Sequence, residues 1–296
     1  MAKLLQPGPM PAAPKEQKLR TLVVSPQEGE GDYTRIQDAI DDAPERSRIV
    51  IKPGVYNESL RLSKQLELIG DGPVDQIVIT TTEGAALHCT APMAQIRGLT
   101  FSREASRDET GDCGVWVTAG AAEFEDCIIT SRAGPCVRIN GEDARPTFRR
   151  CKLNDCSATG ALILNGAKST MEDCEVVNSA GPGFLITGAK TAPVLRRCVV
   201  RDGSDDGYRF HGQASGLLDG CLATGNAHAG ILVMDSAAPI VRDCVISKNG
   251  HAAVWINDAD CSAVFENNDL RGNAKGSWRI APGAEANITR RDNLED

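Results

Sequence analysis

Apolar residues along this chain fall in runs of a few positions, broken by Gly, Asn and Asp, and the runs recur at a fixed interval. One six-residue block returns as Phe124-Glu-Asp-Cys-Ile-Ile, Phe148-Arg-Arg-Cys-Lys-Leu, Met171-Glu-Asp-Cys-Glu-Val, Leu195-Arg-Arg-Cys-Val-Val, Leu218-Asp-Gly-Cys-Leu-Ala and Val241-Arg-Asp-Cys-Val-Ile. Its cysteines, Cys127, Cys151, Cys174, Cys198, Cys221 and Cys244, are spaced 24, 23, 24, 23 and 23 residues apart, and a seventh copy puts Asn268 at the cysteine position. A second run follows each block: Gly160-Ala-Leu-Ile-Leu, Gly183-Phe-Leu-Ile-Thr, Gly207-Tyr-Arg-Phe-His, Gly230-Ile-Leu-Val-Met and Ala253-Val-Trp-Ile-Asn. Short, β-branched runs bounded by turn residues read as strands. A unit of this length is too short for a strand–helix–strand crossover, which needs about 30 residues.

The pattern therefore predicts an all-β fold, a single-stranded right-handed parallel β-helix of about nine or ten coils, each coil one repeat of a solenoid. Equivalent residues on successive coils form ladders about 4.8 Å apart. The cysteines, the large apolar residue three positions before each and the apolar residue two positions after each share the inward face. Gly and Asn supply left-handed backbone at the corners. Ile36, Ala39 and Ile40, within Tyr33 to Pro44, predict a short amphipathic helix that plugs the N-terminal mouth. The domain reading is a flexible N-terminal tail at 1–20, the β-helix at 21–281 and a polar C-terminal tail at 282–296.

Period-two alternation in the Gly-led strand turns its second and fourth positions outward. On successive coils these are Trp116, Arg138, Leu162, Leu185, Arg209, Leu232 and Trp255, with Thr118, Asn140, Leu164, Thr187, His211, Met234 and Asn257 beside them. Two Trp, several Leu and a Met make an unusual solvent face. Apolar stripes of this kind mark interfaces, and Trp and Arg dominate interface energetics. The seven residues from Trp116 to Trp255 are accordingly the candidate binding surface, for a protein partner, a second copy or a carbohydrate. The plainer reading is that the chain itself covers them.

Composition narrows the remaining classes. The formal charge is −8 with no basic run, which argues against a nucleic-acid groove. Residues 1–20 contain four prolines and mixed charges rather than the apolar core of a signal peptide. No run approaches the ~18 apolar residues of a membrane span. The expectation is a soluble, reduced, cytoplasmic protein. Eleven cysteines invite a metal reading. Zinc, however, needs thiols that converge on one tetrahedron, whereas a ladder spreads them one per coil. No metal and no cofactor are expected, and the thiols read as small core hydrophobes.

Three stretches, Gly31-Asp-Tyr-Thr-Arg-Ile-Gln-Asp-Ala-Ile-Asp-Asp-Ala-Pro, Ile51-Lys-Pro-Gly-Val-Tyr-Asn-Glu and Leu68-Ile-Gly-Asp-Gly, resemble the opening of the pectin-lyase-like right-handed β-helix superfamily. They are similar to the pectin methylesterases and to the β-helix F-box proteins, and the downstream Cys repeats resemble the CASH domain of carbohydrate-binding proteins and sugar hydrolases. The resemblance covers residues 21 to about 280 and implies the fold. What it implies for activity depends on catalytic segments. The pectin methylesterase Gln-Asp-Thr and Asp-Phe-Ile-Phe-Gly segments are absent, as is the epimerase Asp-Pro-His-Asp. Of the polygalacturonase set, Asp205-Asp206 and Phe210-His211-Gly212 match in part, without Asn-Thr-Asp or Arg-Ile-Lys. Asp205, Asp206 and His211 are thus the candidate catalytic group of the rival reading, a polysaccharide hydrolase, lyase or epimerase. His228 and His251 are expected on the next two coils. Turn-terminating aspartates and solvated corner histidines account for the same residues without any chemistry. The leading expectation is a non-catalytic binding module, with a structural homo-oligomer as a further alternative.

Overall fold

The computed structural model describes residues 20–104 and 112–296, and these form a parallel β-solenoid of about 11 turns. Three sheets run its length: a first of twelve strands, from Thr21–Val24 to Ile288–Arg291, a second of nine, from Gly54–Asn57 to Val245–Ser247, and a third of ten, from Leu60–Leu62 to Trp278–Ile280. Every strand pairing is parallel and joins one coil to the next. The turn count exceeds the nine or ten read from the repeat. The first coils carry no cysteine block, and their paired residues Thr21, Arg48, Glu67, Gln95 and Glu123 are irregularly spaced.

Each cysteine block is two strands rather than one. Phe124 lies in a first-sheet strand (Glu123–Glu125) and Ile129 in a second-sheet strand (Ile128–Ser131). Between them Asp126 adopts φ 53°, and the same corner recurs at Arg150, Asp173, Arg197, Asp243 and Asn267 with φ from 50° to 62°. A single left-handed residue bends the chain sharply enough to change sheets while Phe124, Cys127 and Ile129 all point inward. Asp and Arg take this conformation at a modest cost that stacking against equivalent corners offsets. A second left-handed corner, between the second and third sheets, recurs at Asp155, Asn178, Asp202 and Lys248, with Gly225 and Gly272 in the same row.

The core is a set of ladders. Cys127, Cys151, Cys174, Cys198, Cys221 and Cys244 are buried, and the rings of Phe124 and Phe148 stack at 4.4 Å. One polar ladder within the core satisfies itself from coil to coil. Asn226 donates to Asn249 Oδ1 (3.0 Å) and Asn249 to Asn273 Oδ1 (2.9 Å), while each Oδ1 also accepts the backbone N–H of the coil before. Arg103 is fully buried and ion-paired with Asp112 at 2.8 Å.

At the N-terminal end the helix α1 (Ile36–Asp42) buries Ile36, Ala39 and Ile40 over the mouth, as its periodicity predicted. Its first turn has no local cap. Instead Glu58, from the Val55-Tyr-Asn-Glu segment, accepts the backbone N–H groups of Ile36 (2.8 Å) and Gln37 (3.0 Å). Residues 1–19 lie outside the described residues, so the expected N-terminal tail is represented only by Arg20, which is ion-paired with Asp42.

Two expectations need correction. The polar segment 282–296 is not all tail, because Ile288–Arg291 pairs with Ala263–Glu266 as the last strand of the first sheet. Ile288 supplies the inward residue, and polar outward neighbours disguise it in the sequence. Nor are all cysteines reduced, since Cys136 and Cys156 form a disulfide between adjacent coils. A register shift beside Ser131, with Asp155 at φ 52°, admits the extra residue that sets Cys156 inward.

Candidate functional site

The outward face of the third sheet is one continuous row. Strand pairing places Arg61, His88, Trp116, Arg138, Leu162, Leu185, Arg209, Leu232, Trp255 and Arg279 side by side, each on its own coil. All seven residues singled out from the sequence fall in this row, in the expected order. Arg61, His88 and Arg279 extend it. The first two were missed because the early coils do not keep the 23-residue interval. Arg279, 24 residues beyond Trp255, was within reach of it.

From His88 to Trp255 these side chains are half-buried rather than exposed, with Leu232 only 8% exposed, while Arg61 and Arg279 at the two ends are exposed. Rungs ~4.8 Å apart leave each outward side chain flanked by its neighbours, so an outward direction does not mean full exposure. The tryptophans illustrate this. The His88 ring stacks on Trp116 at 4.5 Å and 19°, and the Arg138 guanidinium on the next coil lies 5.6 Å from the ring centroid. Trp255 carries His251 stacked at 4.7 Å and Arg279 at 4.4 Å from its centroid, with Leu232 on the coil before. Trp116 thus lies between His88 and Arg138 of the neighbouring rungs, whereas His251 and Arg279, 3.0 Å apart, share one side of Trp255. Burial and then the nearby arginines, Arg61 and Arg279, hold the imidazoles of His88 and His251 below the usual histidine range.

The rival group does not assemble as the sequence suggested. His211 is held by Thr187 Oγ1 (Nδ1, 2.8 Å) and Asp235 Oδ2 (Nε2, 2.7 Å), not by the aspartate pair. His228 takes that place, with Nδ1 2.9 Å from Asp205. Arg209 engages both carboxylates, at 2.6 Å to Asp205 and 2.5 Å to Asp206. Asp206 also accepts the backbone N–H of Ala229 at 3.0 Å. Burial raises the Asp206 carboxyl above the ordinary aspartate range, opposed by the Arg209 charge. A glycosidic acid–base pair needs two carboxylates on opposite sides of the scissile bond. Here both face one guanidinium from the same turn. Ligand-type atoms of Asp205, Asp206 and His228 lie within 4.8 Å of one another, but Arg209 already sits on both carboxylates and opposes a cation. Asp258, Asp260 and Cys261 form a second such group, in which Asp258 accepts the Asp235 N–H and Asp260 the Ser236 hydroxyl. A surface cleft of about 440 Å³ lies on the first sheet, lined by Arg46, Gln65, Leu66, Met93, Ala94 and Ala121 among others, and no candidate residue lines it.

The comparisons with known proteins bear on the fold. The model of the right handed beta helix region matches residues 84–210 and 135–293. This chain belongs to that family. Solved structures similar to it include pectate lyase Pel9A (14% identity, 94% of this chain and 80% of that one, TM-score 0.71). Pectin methylesterase PemA from Erwinia chrysanthemi is similar at 15% identity over 91% and 92%, TM-score 0.56. The Azotobacter vinelandii mannuronan C-5 epimerase AlgE6 A-module is similar at 18% over 80% and 70%, TM-score 0.53. No curated protein sequence matches the chain. The right-handed, pectin-lyase-like solenoid expected from the opening motifs is thus established, and its fold is shared with carbohydrate-active enzymes. Such a fold hosts unrelated activities, so it does not assign one. Among the described residues no helix is long and apolar enough to cross a membrane.

Proposed function

We propose that this chain is a non-catalytic binding module that takes an extended protein segment along the outer face of the third sheet. The observation that carries this reading is the unbroken outward row, with Leu162 and Leu185 at its centre and Trp116 and Trp255 clamped toward its ends. Six rungs of ~4.8 Å separate the two tryptophans, so the row spans ~29 Å, the reach of about nine extended residues. A sugar platform needs an open aromatic face for the ring hydrogens of the sugar, and here His88 and Arg138 lie against Trp116 while His251 and Arg279 lie against Trp255. Rigidly held Trp with Leu and Arg suits the apolar and acidic side chains of a peptide instead.

A carbohydrate-active enzyme is the second reading, and it draws support from the likeness to pectate lyase Pel9A. The two carboxylates it would use are already tied to Arg209.

A phage-displayed peptide library panned on the native chain and on Leu185→Asp and Trp255→Ala tests the proposal. Peptides enriched by the native chain and lost at least tenfold with both variants support it. Overturning results are no enrichment that depends on these residues, or turnover of pectin, polygalacturonate or alginate that disappears in Asp205→Asn.

A further inference from the structure

The first sheet presents a different surface over its C-terminal coils. Its outward positions form two parallel rows. One is apolar: Val194, Leu217, Ile240 and Val264 are paired in direct succession, and Ile240 is 45% exposed. The other, two residues along each strand, is Arg196, Asp219, Arg242 and Glu266, which alternate in sign from coil to coil. The alternation runs on to Glu172 before and Arg291 after. Within the chain Asp219 pairs with Arg242 at 2.8 Å and more loosely with Arg196 at 3.9 Å, and Glu266 pairs with Arg291 at 3.0 Å. The face is therefore neutral as a whole, yet patterned.

We propose that this face is a homodimer interface, on which a second copy of the chain packs with its solenoid axis antiparallel. Face-to-face sheets related by a two-fold axis have two simple arrangements. With the axis along the solenoid, either the apolar row of one copy meets the charged row of the other or, with the axis over the apolar row, that row meets itself and the charged rows are left unopposed. With the axis along the strands, each row meets its own kind and the coil order reverses. Only the second arrangement opposes both rows to their own kind at once. In that arrangement a centre on a coil would oppose like charges throughout. A centre midway between the Leu217 and Ile240 coils opposes Arg196 to Glu266 of the second copy and Asp219 to Arg242 of the second copy. The same centre sets Leu217 against Ile240 and Val194 against Val264. One symmetry operation thus satisfies both rows, and the strict alternation of sign is what makes the antiparallel register self-complementary. Val194 and Val264 are three rungs, ~14 Å, apart, so the contact is small and dissociates on dilution.

Val194→Cys and Val264→Cys, made as two separate variants of different mass, test the register. In either variant alone the two introduced thiols of a dimer are offset by ~14 Å along the solenoid, beyond the reach of a short bismaleimide. In an equimolar mixture they face each other across the ~10 Å between packed sheets, within its reach. The bismaleimide is expected to give a mixed covalent dimer and little homodimer. Sedimentation velocity of the native chain at ~100 µM is expected to show a dimer that Ile240→Asp weakens at least tenfold without changing the circular dichroism. The dimer should also weaken in Arg242→Glu and in high salt. A chain that stays monomeric at that concentration, or cross-linking that is equal in the separate variants and their mixture, overturns the proposal.

Discussion

Arg209 grips Asp206 through two nitrogens, with Nε 2.8 Å and Nη2 2.5 Å from the same carboxylate oxygen. The carboxylate is almost fully buried and its pKa is raised, first by burial, while the guanidinium opposes the shift. A carboxyl whose pKa is raised in the fold contributes stability that is present below its unfolded value, about 4, and lost as pH rises through the folded value. Arg209→Gln removes the opposing charge. The variant's thermal midpoint should therefore fall more steeply than the native one between pH 4 and 7. Equal slopes for the two proteins would mean that Arg209 does not hold the ionised form.

The thiol ladder should be inert in the folded state. Burial pushes the Cys89 and Cys113 thiols, outside the six-residue ladder, up to about 11 and about 12; within the ladder, contact between thiols raises Cys151 and Cys198 and lowers Cys174 and Cys221, while burial opposes ionisation at all four and closes them to reagent. Labelling by a thiol reagent should be slow on the native protein and complete after denaturation. Cys198 Sγ already has the Met171 carbonyl at 3.3 Å, so a hydroxyl at this position finds an acceptor. Cys198→Ser should then cost about 1 kcal/mol, at the low end for a buried hydroxyl. A cost above ~3 kcal/mol by urea denaturation would show that the hydroxyl is left unpaired.

Leu185 and Ile186 are adjacent in one strand and face opposite sides, Ile186 being fully buried. Ile186→Asp should unfold the chain or cost several kcal/mol, because it places an unpaired charge in the core. Leu185→Asp should leave the midpoint within a few degrees of native while abolishing peptide capture. Equal destabilisation of the two variants would place Leu185 in the core.

Glu58 caps α1 from another part of the chain, so its removal should act on the helix alone. Glu58→Ala leaves the Ile36 and Gln37 N–H groups without their acceptor and should cost about 0.5–2 kcal/mol, as loss of a helix cap does. Amide hydrogen exchange should accelerate over residues 36–42 and not in the central coils. Unchanged exchange there would show that water replaces the carboxylate.

The residues that were legible from the repeat are those whose burial follows from strand alternation. Cys127 and its five counterparts, Phe124 and Phe148, and the inward Ile186 and Phe210 all lie where the interval puts them. The outward row from Trp116 to Trp255 was legible for the same reason, since one register fixes both faces of a parallel sheet. The double-strand nature of each cysteine block was not. Arg150 and Arg197 give no local sign of left-handed backbone, and the stacking of equivalent corners holds them there.

A repeat interval and period-two alternation were enough to set the solenoid, its rung-by-rung ladders and which side of each strand faces the core. The tertiary structure alone decided the pairings between turns and coils. It gave Asp205 to His228 and Arg209 rather than to His211, joined Cys136 to Cys156, and set Glu58 on the first turn of α1. It also set His88 and Arg138 against Trp116, and His251 and Arg279 against Trp255. Such contacts depend on corner geometry and on side-chain reach across ~4.8 Å, and a linear repeat carries neither.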